Sequence, residues 1–267
     1  ALALEAGFPP EKISYAGVGK TDREIRLGLS AGIGYFNVES IEELEIIATL
    51  AKEMRKMAPV ALRVNPNIDA HTHHYITTGL EENKFGIDMR LLDQAVEIAH
   101  TSPHLDLIGL HFHIGSQITT TEPFNLLCER VNALVDKYRS RGIEFRVLNV
   151  GGGLGIDYDD PDAHPIAAFR PMFEVLANNL KIREGQEIHC EPGRSVVAQC
   201  GTLISRVIYV KEGVGKKFVI LDAGMNDLIR PALYGAHHKI ENLTATDPTA
   251  TETYDVVGPV CESSDTF

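Results

Sequence analysis

The feature that most constrains this chain is a repeated alternation. A short apolar run is followed by an amphipathic stretch at helical spacing, and then by another apolar run. Strand-like runs fall at Lys12–Val18, Tyr35–Val38, Val60–Asn65, Leu107–Ile114, Arg146–Val150 and Glu187–Glu191. Between them the spacing predicts helices over Thr21–Ala31, Ser40–Met57, Arg90–His100, Glu122–Arg141 and Phe169–Leu180. Ser40 with Glu43 three residues on reads as a capping box. Leu44, Ile47, Leu50 and Met54 recur on one face behind it. Such alternation implies parallel strands joined by helical crossovers, because parallel neighbours cannot be linked by a tight turn.

Polar and glycine residues gather where these strands end: Asn65, His113–Gly115, Gly151–Gly153 and Glu191–Arg194. A (β/α)8 barrel builds its site at that face. A doubly wound sheet also binds ligands at strand ends, so the pattern by itself leaves both architectures open. After Arg194 the texture changes. Val196–Val210, Lys217–Leu221 and Tyr254–Val257 are strand-like, turn residues separate them, and helical patterns become scarce. The expected division is a barrel part over 1–194 and a mostly β part over 195–267.

Charge and cysteine usage narrow the partners. The formal net charge is −12, which argues against nucleic acid and anionic membrane surfaces as ligands, since both need a basic face. No apolar run nears the ~18 residues of a membrane span. Cys128, Cys190, Cys200 and Cys261 are scattered, with no CxxC pair, so no metal ribbon is expected. Reduced thiols in a cytoplasmic protein are the default expectation. The chain opens ALALEAGF without Met and closes CESSDTF, so both ends read as cuts.

Five motifs could carry chemistry. In HFHIGSQ, His111 and His113 are two apart and share a strand face. They read as a metal pair, as a flat ring stacked on a cofactor with Ser116 holding a phosphate, or as two core histidines. GGGLG, starting at Gly151, follows a strand, and its glycines allow positive φ and close amide approach to an anion. A tight loop without a ligand is the other reading, and the dinucleotide pattern GxGxxG is not met because Ile156 holds its last position. EPGR, Glu191–Arg194, offers a carboxylate that could keep a pyridine nitrogen protonated and a planar fork for phosphate or carboxylate, or it is a turn with a salt bridge. Arg230 with Tyr234 could receive a carboxylate, or be a surface Arg and a packed Tyr. His237 and His238 read as structural or solvated. In GPVCESSD, Cys261 could donate a proton, as thiols do near neutral pH, or be a buried small apolar residue.

The order of these motifs is more specific than any one of them. HxHIGS, then GGG after a strand, then EPGR, DAGMNDLIRPALYG and GPxCES resembles the fold-type III pyridoxal-5′-phosphate (PLP) decarboxylases of the diaminopimelate decarboxylase type. ALALEAGFPPEKISYAGVGKTDREI, RVNPNIDAHTHHYITTG and NKFGI match the same texture, so the resemblance runs along the whole chain. It implies an alanine racemase-like (β/α)8 barrel lacking its first two strands, followed by part of a C-terminal β domain. It implies that His113 stacks on the cofactor ring. Ser116, Gly151, Gly152, Gly153, Pro192, Gly193 and Arg194 would hold the phosphate, and Glu191 would pair with the ring nitrogen. Arg194, Arg230 and Tyr234 would take the substrate's distal carboxylate, Glu262 its distal amine, and Cys261 would protonate the carbanion. Cys261 and Glu262 would serve the partner's site in a homodimer. Lys84 resembles a basic position near the ring. No lysine stands where the family carries its Schiff-base lysine, which is expected on the first barrel strand ahead of this chain, so the chain alone is expected to be inactive.

Three rivals remain at this stage, one of them a non-catalytic binding homologue, which a first barrel strand without a lysine in the intact protein would support. A sister decarboxylase acting on arginine or ornithine shares the cofactor residues, but Glu262 with Arg230 and Tyr234 favours a substrate carrying both a distal amine and a distal carboxylate. A metal-dependent barrel hydrolase would use His111 and His113, and leaves GGG, EPGR and CES without a role.

Overall fold

The structure is a computed structural model that describes residues 1–68, 84–245 and 252–267. Most of the RVNPNIDAHTHHYITTG segment therefore lies outside the described residues. The chain divides into two compact units: Ala1–Gly155 with Ala168–Arg194, and Ile156–Ala167 with Ser195–Phe267.

The first unit opens with a one-turn helix, α1 (Leu2–Glu5), and then alternates strand and helix. Its elements are β1 (Ser14–Tyr15), α2 (Asp22–Ala31), β2 (Tyr35–Val38), α3 (Ile41–Glu53), β3 (Ala58–Arg63), α4 (Leu92–Thr101), β4 (Leu105–His111), α5 (Glu122–Arg139), β5 (Val147–Asn149), α6 (Phe169–Asn179) and β6 (Glu187–His189). The six strands form one sheet in sequential order, and every neighbouring pair is parallel. The caps explain where the early helices begin. Thr21 and Glu24 make a full capping box at α2, a device typically worth about 1 kcal/mol. At α3 the Ser40 side chain accepts from the Glu43 amide. Glu43 itself accepts from Glu39 N at 2.9 Å and from Lys20 Nζ at 2.6 Å, so only half of the expected box forms.

The sheet is curled. Strands β2 and β6 stand four places apart, about 19 Å in a flat sheet at ~4.8 Å per strand. Yet Tyr35 Oη on β2 lies 2.8 Å from His189 Nδ1 on β6. Only barrel curvature brings those side chains together. The fold of this unit is part of a (β/α)8 barrel.

Strand alternation sorts the two faces. Val38, Leu62, Leu110 and Leu148 are in register across β2 to β5 and are essentially fully buried. Leu44, Ile47, Leu92, Leu127 and Val131, on helices α3 to α5, are equally buried. This is the apolar layer between sheet and helices, the largest store of burial free energy in such a fold.

In the second unit β7 (Val207–Glu212) pairs antiparallel with β8 (Lys217–Leu221), which pairs parallel with β9 (Asp255–Val257). Two short helices, α7 (Arg194–Val197) and α8 (Arg230–Tyr234), flank β7 and β8 in sequence. The strand expected over Val196–Val210 is therefore wrong over 196–206, and only its last four residues, Val207–Val210, are strand. Val196 and Val197 close α7 and Ala198–Cys200 is a 3-10 turn. A β-branched pair is a weak bias that a turn following EPGR overrides. The strand expected over Lys12–Val18 shrinks to two residues, because Pro10–Lys12 form a 3-10 turn and Gly17 leaves extended backbone at φ +138°.

Candidate active site

Register also places the polar row. Arg63, His111, Asn149 and His189 are partners across β3 to β6, so their side chains leave the sheet on the same face. That face is the barrel interior, since Asn149 Nδ2 donates to Tyr35 Oη across it at 3.1 Å. Burial pushes the Tyr35 phenol up, so it stays protonated. Arg63, His111 and Asn149 are all buried, as are Asn37 and Glu39. Arg63 Nη1 donates to Glu39 Oε1 at 2.7 Å, and Glu39 Oε2 accepts from the Gly86 amide at 2.9 Å.

Glu191 stands two residues beyond His189, on the same face and one step nearer the carboxyl end. Its Oε1 accepts from Asn149 Nδ2 at 2.9 Å and Asn37 Nδ2 at 3.4 Å. His111 Nε2 lies 3.5 Å from Oε2, an electrostatic contact longer than a good hydrogen bond. Among the described residues neither ring nitrogen of His111 has a hydrogen-bond partner. Burial alone would raise the Glu191 carboxyl pKa. The contacts with His111 and the bond from Asn149 outweigh it, and hold the group down at about 2. Glu191 is thus a half-buried carboxylate kept ionised at the mouth of the barrel.

His113 follows β4. Burial, with Arg63 and His111 nearby, pushes its ring down to about 4, so it is neutral at pH 7. The Gly152 amide donates to its Nδ1 at 3.3 Å, which puts the ring proton on Nε2. Ser116 is half-buried in the turn just beyond. Gln117 adopts φ +62°, and its Oε1 accepts from Arg194 Nη1 at 3.1 Å. The histidine turn and the EPGR segment are thereby tied together.

The glycines run between those two segments. A Cβ on Gly152 would lie 2.0 Å from Glu191 O, one on Gly151 2.2 Å from Phe112 O, and one on Gly153 2.4 Å from Gly115 O. Gly151 and Gly153 also hold φ +72° and +103°. Close backbone packing therefore requires all three, whatever the loop binds. Asn149 Oδ1 accepts from the Gly151 amide at 3.0 Å. One buried side chain thus fixes the glycine loop, Glu191 and Tyr35 together. Gly193 differs: nothing lies within 4 Å of where its Cβ would be. Pro192 and Arg194 beside it are half-buried.

Arg230 and Tyr234 bound the single turn of α8, both half-buried. Cys261 and Glu262 are exposed in the turn after β9. That turn is clamped by the buried Asp265 carboxylate, which accepts from Val260 N at 2.7 Å and Met225 N at 2.6 Å. The first group of site residues thus gathers in the barrel unit, and Arg230, Tyr234, Cys261 and Glu262 belong to the other. Lys84 is exposed, with Nζ 5.3 Å from the Phe85 ring centroid. The buried lysine, Lys20, is committed to Gly17 O, Asn37 O and Glu43. Among the described residues, no group of three or more His, Cys, Asp or Glu is arranged to hold a metal. No described helix is long and apolar enough to cross a membrane.

Sequence reasoning missed Asn37, Asn149, Tyr35 and Asp265. A signal existed for the two asparagines: each sits inside an otherwise apolar strand, YFNV and RVLNV, where a polar side chain needs buried partners.

Parallel strands whose carboxyl ends carry an ionised glutamate, a neutral histidine and three packed glycines have the layout of a (β/α)8-barrel enzyme, a class that builds its site at that face. Residues 1–198 match the family model described as pyridoxal-dependent decarboxylase, pyridoxal binding domain. The chain is 57% identical over 265 residues to diaminopimelate decarboxylase of Bacteroides thetaiotaomicron, covering 99% of this chain and 68% of the relative. It is 44% identical to that of Neisseria meningitidis, covering 63% of the relative. Diaminopimelate decarboxylase from Helicobacter pylori, solved in complex with L-lysine, superposes with a TM-score of 0.90 at 43% identity, over 99% of this chain and 65% of the other. An arginine decarboxylase of a Chlorella virus superposes at 0.83 with 19% identity, a likeness of fold alone. The chain belongs to the pyridoxal-dependent decarboxylase family, within its diaminopimelate decarboxylase group, and spans about two thirds of the length of those relatives.

Proposed function

We propose that the full-length protein carrying this chain decarboxylates meso-2,6-diaminopimelate to L-lysine and CO2 with PLP, as a cytoplasmic homodimer. The observation that carries the reading is Glu191, held ionised at about 2 by His111 and Asn149 beside the glycine cradle. Those residues suit the cofactor's own chemistry. A carboxylate that stays charged keeps a pyridine nitrogen protonated. His113, neutral and flat, can lie against an aromatic ring. Ser116, the Gly151–Gly153 loop and the Pro192–Arg194 segment would hold the phosphate, with room at Gly193 for close approach.

When bound, PLP supplies a protonated ring that accepts the electron pair left as CO2 departs. Glu191 would pair with the ring nitrogen and favour its protonated form. Arg230 and Tyr234 would take the substrate's distal carboxylate, and Glu262 its distal amine. Cys261, supplied by the partner subunit, gives its thiol proton to the carbon that lost CO2. The lysine that carries the cofactor is expected in the part of the protein outside this chain.

The test offers the full-length protein, purified with PLP, meso-diaminopimelate, arginine and ornithine, and identifies the amine formed. L-Lysine from meso-diaminopimelate alone is expected. Agmatine or putrescine instead would keep the cofactor site and overturn the substrate. A stoichiometric transition metal with no PLP would overturn both.

A further inference from the structure

Arg230 sits in a cage that its own helix does not supply. Its guanidinium carbon lies 3.7 Å from the centroid of the Tyr158 ring, the distance of a cation stacked on an aromatic face. Its Nη1 donates to His237 O at 3.3 Å, and His238 Nε2 lies 3.2 Å away. A guanidinium only donates, so His238 Nε2 accepts, and the neutral ring carries its proton on Nδ1. The Tyr158 and His238 rings meet edge to face at 5.0 Å. The segment bearing Tyr158 is also anchored within the same unit, by the Lys239–Asp162 ion pair and by Gln199 Nε2 donating to His164 O at 2.7 Å.

We infer that Tyr158 and His238 are positioning residues for carboxylate recognition: Tyr158 sets the plane of the Arg230 fork and His238 its rotation. A bidentate grip on a carboxylate needs both fork nitrogens in one plane with the anion, and an arginine left to its flexible stem must be ordered on binding. Stacking and the histidine acceptor do that ordering in advance. The inference rests on the reading that Arg230 takes the distal carboxylate. It gives a role to the Tyr of DYDDPD and to His238, neither of which the cofactor chemistry uses.

The test compares two ligands of the full-length, PLP-loaded enzyme: L-lysine, which keeps the distal carboxylate, and 1,5-diaminopentane, which is the same chain without it. Their inhibition constants, with KM and kcat for meso-diaminopimelate, are measured for Tyr158→Leu, Tyr158→Phe, His238→Phe and His238→Gln. Tyr158→Leu and His238→Phe are expected to weaken L-lysine and raise KM by about tenfold, equivalent to one decade of affinity. Diaminopentane binding and kcat should stay within about threefold. Tyr158→Phe keeps the stacking face and His238→Gln keeps an acceptor, so both should behave like the parent enzyme. Equal weakening of both ligands, or Tyr158→Phe as impaired as Tyr158→Leu, overturns the inference. Arg230→Met separates the two levels. If it abolishes the preference for L-lysine while Tyr158→Leu and His238→Phe retain it, the inference alone fails. If it leaves the preference intact, the carboxylate role of Arg230 fails, and the inference with it.

Discussion

Replacing Asn149 by Leu should be the most damaging single polar substitution in the barrel interior. Asn149 is 1% exposed and makes three bonds: from the Gly151 amide to Oδ1, and from Nδ2 to Tyr35 Oη and to Glu191 Oε1. Leucine keeps the branched skeleton but has neither donor nor acceptor, so the three partners lose their bonds to this side chain. Two neutral bonds at ~1 kcal/mol each and one to a carboxylate at ~2 kcal/mol give a loss of about 4 kcal/mol. That is a large share of the ~5–15 kcal/mol that holds a typical domain folded. Urea denaturation of the full-length apoprotein, parent against variant, reads the number directly. A loss below about 1 kcal/mol would refute the argument that Asn149 is the shared anchor. Asn149→Asp sharpens the test. It retains the acceptor for Gly151 but sets a second carboxylate about where the amide sits, 2.9 Å from Glu191. Like charges raise one carboxyl pKa above its unfolded value. Measured against the parent, the variant should therefore fare best in acid and lose relative stability as pH rises through that raised value, and a flat difference profile would count against it.

Four further outcomes are expected. Gly152→Ala drives a Cβ to 2.0 Å from Glu191 O, whereas Gly193→Ala meets nothing. The first should lose about 2 kcal/mol or more in denaturation. The second should melt like the parent yet bind PLP at least about tenfold more weakly in equilibrium dialysis; unchanged PLP affinity would remove Gly193 from the phosphate site. His113, pushed down to about 4 by burial, takes its proton more readily when unfolded, so stability should rise with pH between about 4 and 6.5. Acidifying from pH 7 to 4 should cost up to about 3 kcal/mol through this group, and His113→Phe should flatten that slope in pH-dependent denaturation. Glu191 acts in a lower window: held at about 2, it adds stability above the ordinary carboxyl range that is lost as pH falls toward 2, and Glu191→Gln should remove this acid limb. Asp265→Ala frees the Val260 and Met225 amides and should lower kcat of the full-length enzyme about tenfold or more through misplacement of Cys261, with PLP occupancy unchanged by absorbance. An unchanged kcat would separate the clamp from the chemistry.

Local patterns carried the order of the elements. The 3.6-residue spacing of Leu44, Ile47 and Leu50, the Thr21 and Ser40 caps, and the apolar runs of β2 to β6 depend on residues a few positions apart, so a single chain displays them. Glu191, His113 and the glycines were legible for the same reason: unusual residue types stand where strands end. What no local pattern contains is which distant strands meet. Tyr35 and His189 are 154 residues apart, as are Asn37 and Glu191, and only the curl of the sheet makes them neighbours. The same holds for Asp265, whose carboxylate reaches Met225, forty residues back. Tyr158 likewise looks like a loop residue until Arg230 stacks on it. Periodicity determines which face of a strand a residue occupies. Curvature and loop closure, set by the packing of the whole unit, decide what that face touches.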